Sequence, residues 1–434
     1  MKKLLSALSL TVLGMSAFAA VLEMKPAEDR VYKIGEEITF SAAVKDNDGK
    51  MMTNGSYVLR ISESGGKTIG KPITVKVAEN NPFTFKAKLD KPGFVMVISK
   101  GYVPAGDKLE GWKNNRLTPP VTGAAVEPEK IVTGSKMPED FNEFWAKGIE
   151  KFKNAEVVIE PVAKKMQGYK VSRITVKFPD GSGFIDGFLS IPVKKGKYPV
   201  VVGVPGAGPG SVSPWPTFHP DKNKPVIMMV LNVHPYRTAA TSAEQQKLYN
   251  AYQKTFKKTQ SYTLENSWDR DKYVYRNVWL AINRAMDYVA ALPEYDGKHF
   301  AAVGSSQGGG SALAVSYLNK NVTCTVANVP ALCDHNGWRL DRRPGWPDLH
   351  VKVQGGADKS AEYFDGANFA AGIKHPALVS VGFADVTCSP SSVYAAYNAL
   401  QGKKMMFHMY REGHSITKEF FAAATEFLHA EFAK

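Results

Sequence analysis

The sequence predicts two folded parts: a small all-β sandwich, followed by an α/β domain built on a mostly parallel eight-stranded sheet. Short alternating segments before residue 124 indicate the first part. Strands that alternate with helices after residue 169 indicate the second, and a glycine-framed serine lies between one such strand and helix. The composition is globular, with 44% hydrophobic and 22% charged residues, which excludes a disordered chain, a collagen or a coiled coil.

The first nineteen residues have the features of a secretory signal peptide. Lys2 and Lys3 precede an apolar stretch over 4–15, and Ala17-Phe18-Ala19 is an A-x-A cleavage site. We therefore expect a mature chain that begins at Ala20 and is exported to the periplasm or the cell exterior. The apolar stretch is too short to span a bilayer and no later segment approaches eighteen apolar residues, so we expect no membrane insertion.

The chain is basic, with 55 Lys and Arg against 41 Asp and Glu and a formal net charge of +14. Such a balance suits either an acidic partner, such as nucleic acid, an anionic membrane or a uronic-acid polysaccharide, or dispersed surface lysines. No run of five basic residues occurs, which favours dispersed lysines and no nucleic-acid partner. The sequence carries no indication of an oligomeric state.

Three cysteines, Cys324, Cys333 and Cys388, are too few and too widely spaced for a disulfide framework or a C-x-x-C zinc site. One bridge with one free thiol and three buried thiols both remain open.

Residues 20–124 form the predicted sandwich, of immunoglobulin-like type. Turn residues such as Asn47-Asp48-Gly49 and Asn54-Gly55 separate short alternating segments. Five strands are predicted, at 37–44, 57–61, 73–77, 83–87 and 93–98. Because no titratable cluster occurs here, we expect a separate packing or binding module. The alternative is that the sandwich walls the mouth of a site in the second part.

Residues 125–434 form the predicted α/β domain, joined to the sandwich by a proline-containing linker up to Pro128. A helix is expected from the stretch 135–140, with a core-facing stripe of Phe141, Phe144, Trp145 and Ile149. Further helices are expected at 277–291 and 309–319. Eight apolar runs predict the strands: 170–177, 184–191, 199–204, 226–233, 299–304, 322–327, 376–382 and 404–409.

One motif in this domain carries chemistry. The apolar run at 300–303 enters G-x-S-x-G, with Gly304, Ser306 and Gly308 in frame, and continues into a small-residue helix. This is the nucleophile elbow of α/β-hydrolases, in which glycines allow a strained turn that lifts the serine hydroxyl above the sheet. We expect Ser306 to be the nucleophile. A Ser/Gly-rich turn without function is the alternative.

A serine nucleophile needs a base and an orienting acid, which follow it in that fold in the order acid, then histidine. Asp385 stands at the carboxyl end of an apolar strand, and Asp358 and Asp365 compete with it but precede that strand. His414 lies in the loop after the last strand, whereas His408 falls within the strand and suits a core position. The sequence therefore predicts Asp385 as acid and His414 as base.

The oxyanion hole of such enzymes consists of backbone N–H groups. The residue after the nucleophile, Gln307, supplies the first, and Ala207 in the glycine-rich loop 203–210 is the candidate for the second. This chemistry calls for no metal and no cofactor.

Residues from about 130 to 434 resemble the acetyl xylan esterase and cephalosporin C deacetylase family, carbohydrate esterase family seven. Four stretches carry the resemblance: M-P-E-D-F at 137–141 with Phe144 and Trp145, L-P-E-Y-D at 292–296 leading into the elbow G-S-S-Q-G-G at 304–309, P-A-L-C-D at 330–334, and the acid-bearing stretch 385–398. The resemblance implies Ser306, Asp385 and His414 as catalytic residues.

The chain departs from the family pattern at three places. Pro205-Gly206-Ala207 stands where the family has H-G-Y, the family's R-G-Q-G is absent near 232–236, and the family's H-E pair is here His414-Ser415. The sandwich is also outside the usual family architecture.

Export and resemblance together imply an esterase that removes O-acetyl groups from a carbohydrate, xylan or a related plant polysaccharide. Loop residues Trp215, Trp338 and Trp346 suit either sugar stacking or ordinary packing. Three alternatives remain: a secreted peptidase of prolyl-oligopeptidase type, another sugar-ester hydrolase such as a glucuronoyl esterase, and a glycan-binding protein with a decayed hydrolase domain.

Overall fold

The computed structural model describes residues 20–105, 120–220, 224–353 and 357–434, so the predicted signal peptide lies outside the described residues. In the first part, eight strands are described: β1 (Val21–Pro26), β2 (Val31–Tyr32), β3 (Ile38–Lys45), β4 (Ser56–Glu63), β5 (Ile73–Lys76), β6 (Phe83–Ala87), β7 (Gly93–Ser99) and β8 (Val121–Val126).

These strands form two sheets that share one core. The smaller sheet has the order β1-β3-β6 and the larger β2-β8-β7-β4-β5. Phe40 and Phe85 of the first sheet and Tyr57, Leu59 and Val97 of the second belong to one buried cluster. A two-sheet sandwich is therefore present, and its immunoglobulin-like type stays a prediction.

The five predicted strands of the sandwich are present, and three others were not predicted. β1 and β2 are short or irregular in pattern, and β8 lies in the stretch that its flanking prolines indicate as a linker. β8 pairs antiparallel with β7 from Gly93↔Val126 to Ile98↔Val121. The sandwich thus extends to Val126, and its last strand leads directly into the second part.

The second part contains strands and helices in alternation. Its strands are β9 (Val157–Pro161), β10 (Tyr169–Lys177), β11 (Phe184–Pro192), β12 (Tyr198–Val204), β13 (Ile227–Leu231), β14 (Tyr295–Ser305), β15 (Cys324–Asn328), β16 (Ala377–Gly382) and β17 (Lys404–Met409). Its helices are α1 (Phe141–Phe152), α2 (Ser242–Gln253), α3 (Val274–Ala290), α4 (Gln307–Leu318), α5 (Leu349–Lys352), α6 (Asp358–Ala361), α7 (Gly366–Ala370), α8 (Pro390–Ala399) and α9 (Lys418–Glu431).

One mixed sheet runs through this part, in the order β17-β16-β15-β14-β12-β13-β11-β10-β9 among the described residues. All neighbours from β13 to β17 are parallel, whereas β9, β10 and β11 are antiparallel to their neighbours. The prediction of eight strands is therefore wrong by one. The edge strand β9 was missed because it is short and half-exposed and so lacks the continuous apolar pattern of a buried strand.

Helices cover both faces of the sheet. The side chains of β12 show this, since successive side chains of a strand point to opposite faces. Val200 and Val202 of β12 join the larger core cluster with helices α1, α3, α4, α7 and α8, whereas Val201 joins a second cluster with α9. The predicted stripe of α1 is confirmed, since Phe141, Phe144 and Trp145 are buried. The helix begins at Phe141, however, so residues 135–140 precede it. No helix in the described ranges is long and apolar enough to cross a membrane.

Candidate active site

The glycine-framed serine forms a sharp turn between β14 and α4. Ser306 has φ 58° and ψ −123°, a backbone conformation that residues other than glycine rarely adopt. A Cβ on Gly304 would lie 2.2 Å from Gly308 O, and one on Gly308 would lie 2.0 Å from Val204 O. Both glycines are thus required sterically, and the predicted elbow is the observed conformation.

The loops after β16 and β17 bring the predicted acid and base to this serine. His414 Nδ1–H donates to Asp385 Oδ2 across 2.8 Å, and His414 Nε2 accepts from the Ser306 hydroxyl across 2.9 Å. Because a carboxylate can only accept, the bond to Asp385 fixes the tautomer that leaves Nε2 free to take a proton. The three side chains therefore form one continuous hydrogen-bonded chain.

Asp385 is fully buried, and its environment fixes its orientation. Its second oxygen, Oδ1, accepts from the backbone N–H groups of Thr387 at 2.7 Å and Cys388 at 2.9 Å. By contrast, 28% of the His414 side chain is exposed. Asp385 is thus fixed inside the protein, while the His414 side chain is partly exposed to solvent.

The competing residues lie elsewhere. His408 of β17 shares a hydrogen bond of 2.6 Å with the hydroxyl of Tyr394 in α8, and burial lowers its pKa. Asp358 pairs with His350 at 3.0 Å, and Asp365 caps the amino end of α7. None of the three joins the Ser306 site.

Gln307, the predicted first oxyanion donor, is the first residue of α4. Its backbone N–H therefore has no acceptor within the helix and is available beside the nucleophile. Its buried side chain is held by two phenols: the hydroxyls of Tyr262 and Tyr275 donate to Oε1 at 2.5 and 2.7 Å. Burial raises the pKa of both tyrosines, which keeps them neutral donors. The sequence pattern did not reveal this pair.

The loop that carries Ala207 lies against Ser306. A Cβ on the neighbouring Gly206 would lie 3.8 Å from Ser306 Cβ, and Ala207 itself is exposed at the surface. The peptide between them is therefore beside Ser306, where a second oxyanion donor belongs.

Side chains from the stretch after β13 hold this loop. His234 Nε2–H donates to Gly208 O at 2.6 Å, the Tyr236 hydroxyl donates to Pro209 O at 2.8 Å, and Asn232 Nδ2 donates to Ser211 O at 2.9 Å. Burial lowers the pKa of His234 to about 4, so the ring is neutral at ordinary pH. These are the positions near which the family's R-G-Q-G is absent.

Cys388 lies beside the site, although the sequence showed it only as one of three cysteines whose pairing stayed open. Its Sγ lies within 4.8 Å of ligand atoms of Asp385 and His414. Both Asp385 oxygens and both His414 nitrogens already have hydrogen-bond partners, and burial together with the Asp385 charge raises the pKa of the thiol. The ligand atoms of Asp385 and His414 are engaged in the hydrogen bonds around Ser306, so this group does not fit a metal site. All three cysteines are buried and unbridged.

The family model for acetyl xylan esterases matches residues 129–431. The chain is also 31% identical over 356 residues to the acetyl esterase Axe7A of Xylanibacter ruminicola, with 77% of this chain and 78% of that protein covered. This chain belongs to the acetyl xylan esterase family. It is therefore a carboxylic-ester hydrolase of the carbohydrate esterases, which decides against a peptidase and against a decayed binding protein.

Two solved structures show the same fold. Acetyl xylan esterase 1 from Thermoanaerobacterium sp. JW/SL YS485 is 21% identical, with a TM-score of 0.57, and covers 70% of this esterase and 98% of its own chain. The acetyl xylan esterase from Paenibacillus sp. R4 is 22% identical, with a TM-score of 0.54 and the same coverage. The second part of this esterase thus has the α/β-hydrolase fold, and the sandwich lies before the family match.

Proposed function

We propose that this esterase is exported and removes O-acetyl groups from a plant polysaccharide or oligosaccharide of the xylan type, through an acyl-enzyme on Ser306. The observation that carries the mechanism is the hydrogen-bonded chain from Ser306 through His414 to the buried Asp385, at 2.9 and 2.8 Å. Family membership and the names of the relatives support the acetyl ester as substrate.

In the first half of the reaction, Ser306 Oγ attacks the ester carbonyl while His414 Nε2 takes the hydroxyl proton. The charge that develops on the carbonyl oxygen is stabilised by the N–H groups of Gln307 and Ala207. His414 then gives its proton to the departing sugar hydroxyl, which leaves an acetyl group on Ser306. Asp385 stabilises the imidazolium that exists between these steps.

In the second half, water attacks the acetyl-enzyme with His414 as base, and acetate leaves as Ser306 regains its proton. Every proton moves between Ser306, His414, water and the sugar hydroxyl. The proposed mechanism therefore uses side chains and backbone groups of this chain alone.

The substrate assignment is tested by comparing product release from four substrates: acetylated xylan, acetylated pectin, cephalosporin C and a glucuronoyl ester. We expect the highest kcat/KM on acetylated xylan or its oligosaccharides, with Ser306→Ala as the blank. Preference for the glucuronoyl ester would contradict the acetyl assignment. Export is tested by mass spectrometry of the secreted protein, which is expected to begin at Ala20.

A further inference from the structure

The larger sheet of the sandwich packs directly on the segment that carries Asp385. Phe94 of β7 is fully buried and meets Phe383 edge to face, with ring centroids 5.1 Å apart and planes at 85°. The same ring lies 5.8 Å from the ring of Tyr394 in α8. Phe94 thus belongs to the hydrophobic core of the second part. It packs on residues just before and just after the loop that carries Asp385, here called the acid loop.

The backbone of the sandwich also touches this segment. A Cβ on Gly123 of β8 would lie 2.0 Å from Phe383 O, so only glycine allows the strand to approach the carbonyl two residues before Asp385. On the other side of the acid, Ser389 Oγ–H donates to Ser64 O across 3.2 Å. The sandwich therefore contacts the acid loop on both sides of Asp385.

A third contact runs through Arg343. The loop after β4 lies against this residue, since a Cβ on Gly66 would lie 2.8 Å from Arg343 N. Arg343 Nη1 in turn donates to the carbonyl of Val386, the residue next to Asp385. Its Nη2 pairs with Asp348 at 3.0 Å, which fixes the guanidinium in place.

The opposite side of the acid loop rests on the loop that carries the base. Phe383 N–H donates to Met409 O at 3.1 Å, and Ala384 N–H donates to Glu412 O at 2.9 Å. The acid loop is therefore enclosed between the histidine loop and the sandwich. A displacement of about 1 Å in such a group is enough to cost a large factor in rate.

We propose that the sandwich is a positioning element for Asp385, and not a separable module that only binds substrate. The proposal rests on the proposed role of Asp385 in the triad. It assigns a function to the 107 residues from Ala20 to Val126 that precede the family match, which begins at residue 129. The sandwich sets the position of the acid loop, and the loop sets the hydrogen bond from His414.

The test compares two glycines of the same sheet in the full chain. In Gly123→Ala the new methyl group must displace Phe383 O, so we expect kcat on an aryl acetate to fall at least about tenfold with KM little changed. In the control Gly93→Ala the nearest atoms are Leu89 Cδ1 at 3.3 Å and Glu63 Oε1 at 3.5 Å, both ends of sandwich side chains, and none of the three nearest atoms belongs to the acid loop. We expect this variant to keep kcat within about twofold.

Covalent labelling of Ser306 by a fluorophosphonate separates positioning from misfolding. A misplaced acid slows labelling but leaves full stoichiometry, whereas a folding defect lowers the labelled fraction at a normal rate. Phe94→Leu and Ser389→Ala perturb the same contacts more mildly and carry the test if Gly123→Ala does not fold. We expect each to lower the labelling rate severalfold.

A double-mutant cycle then asks whether the effect runs through Asp385. In an Asp385→Asn background, Gly123→Ala or Phe94→Leu should cause almost no further loss, because the group they position no longer works. Full additivity, or wild-type kcat in Gly123→Ala, Phe94→Leu and Ser389→Ala while Asp385→Asn is impaired, would overturn the inference alone. Wild-type activity of Asp385→Asn would overturn the proposed triad and with it the inference.

Discussion

The side-chain amide of Asn328 donates across 2.7 Å to the Oγ of Ser305, the residue that precedes Ser306. The same amide donates to Ser415 O at 3.1 Å, next to His414, and Asn328 Oδ1 accepts from Ser380 Oγ at 2.6 Å on the strand that leads to Asp385. One fully buried side chain at the end of β15 thus links the three segments that carry Ser306, His414 and Asp385.

We therefore expect Asn328→Ala to lower kcat about tenfold or more and to cost about 1–3 kcal/mol of stability, because buried groups lose their partners. The control is Asn319→Ala at the far end of α4, where an equally buried amide donates to Asn283 and Asp287. It should lose similar stability with unchanged kcat. Kinetics on an aryl acetate and thermal unfolding of both variants give the comparison. Equal kcat in the two variants would show that Asn328 is only structural.

The nucleophile is tested by two adjacent serines. Ser306→Ala should lower kcat by about 10⁴- to 10⁶-fold with folding nearly unchanged, because its small side chain lies at the mouth of the site. Ser305→Ala removes only the acceptor of Asn328 and should keep most of the activity. The measurement is acetate release together with fluorophosphonate labelling. The opposite pattern would mean that the frame of the elbow is assigned to the wrong serine.

The acid is tested by an isosteric amide. Asp385→Asn presents an N–H or a neutral oxygen to His414 and should lower kcat by about 10⁴-fold. Asp358→Asn is the matched control, because the Asp358 carboxylate competed for the same role in the sequence but pairs with His350 at 3.0 Å and not with His414. Activity retained in Asp385→Asn but lost in Asp358→Asn would contradict the assignment of the acid.

That Ser306, Asp385 and His414 come together could be predicted, because their placement depends on local sequence and on chain order. Ser306 lies in a motif whose glycines are sterically required, and Asp385 and His414 each follow an apolar strand in the order that the fold demands. Asn328, His234 and Tyr262 could not be predicted, because their roles arise from contacts between segments that are distant in sequence. The same is true of Gly123, which resembles an ordinary small residue near prolines until its approach to Phe383 is seen.

The edge of the fold was harder to predict than its centre for a related reason. Buried parallel strands such as β12 and β14 have continuous apolar runs. β9 lies at the sheet edge, and its residues are half-buried or exposed. β8 consists largely of small residues, which suits the close approach of the two parts but carries little strand signal.

The loop beside the nucleophile gives a further prediction. His234→Leu keeps the volume of the ring but removes the donor to Gly208 O, so we expect kcat to fall roughly 10- to 100-fold as the oxyanion donor shifts. His375→Leu is the control, since this half-buried histidine bonds Thr325 near the start of β16, at the opposite end of the parallel strands. Its kcat should change less than about threefold. Equal losses in both variants would indicate a general effect of burying leucine.

His234 also makes the stability of the protein depend on pH. Burial lowers its pKa from 6.5 to about 4 in the folded state, while the unfolded chain keeps the ordinary value. Above pH 6.5 neither state binds the proton, so the full stability is present. As the pH falls from 6.5 to 4, the unfolded state binds a proton that the folded state does not, and stability falls by about 1.4 kcal/mol per pH unit. Between pH 7 and pH 5 this single group should therefore cost about 2 kcal/mol.

The measurement is urea unfolding of the wild type and His234→Leu at both pH values. The difference between the two pH values should be smaller in the variant by about 2 kcal/mol, because the titrating ring is gone while every other ionisable group remains. Tyr249→Phe changes a ring that packs 5.5 Å from His234 without removing a group that titrates in this range, so it should keep the wild-type pH dependence. An identical pH dependence in His234→Leu and the wild type would mean that His234 is protonated equally in the folded and unfolded chains. The interpretation of His234 as a neutral ring that donates to Gly208 O would then be wrong.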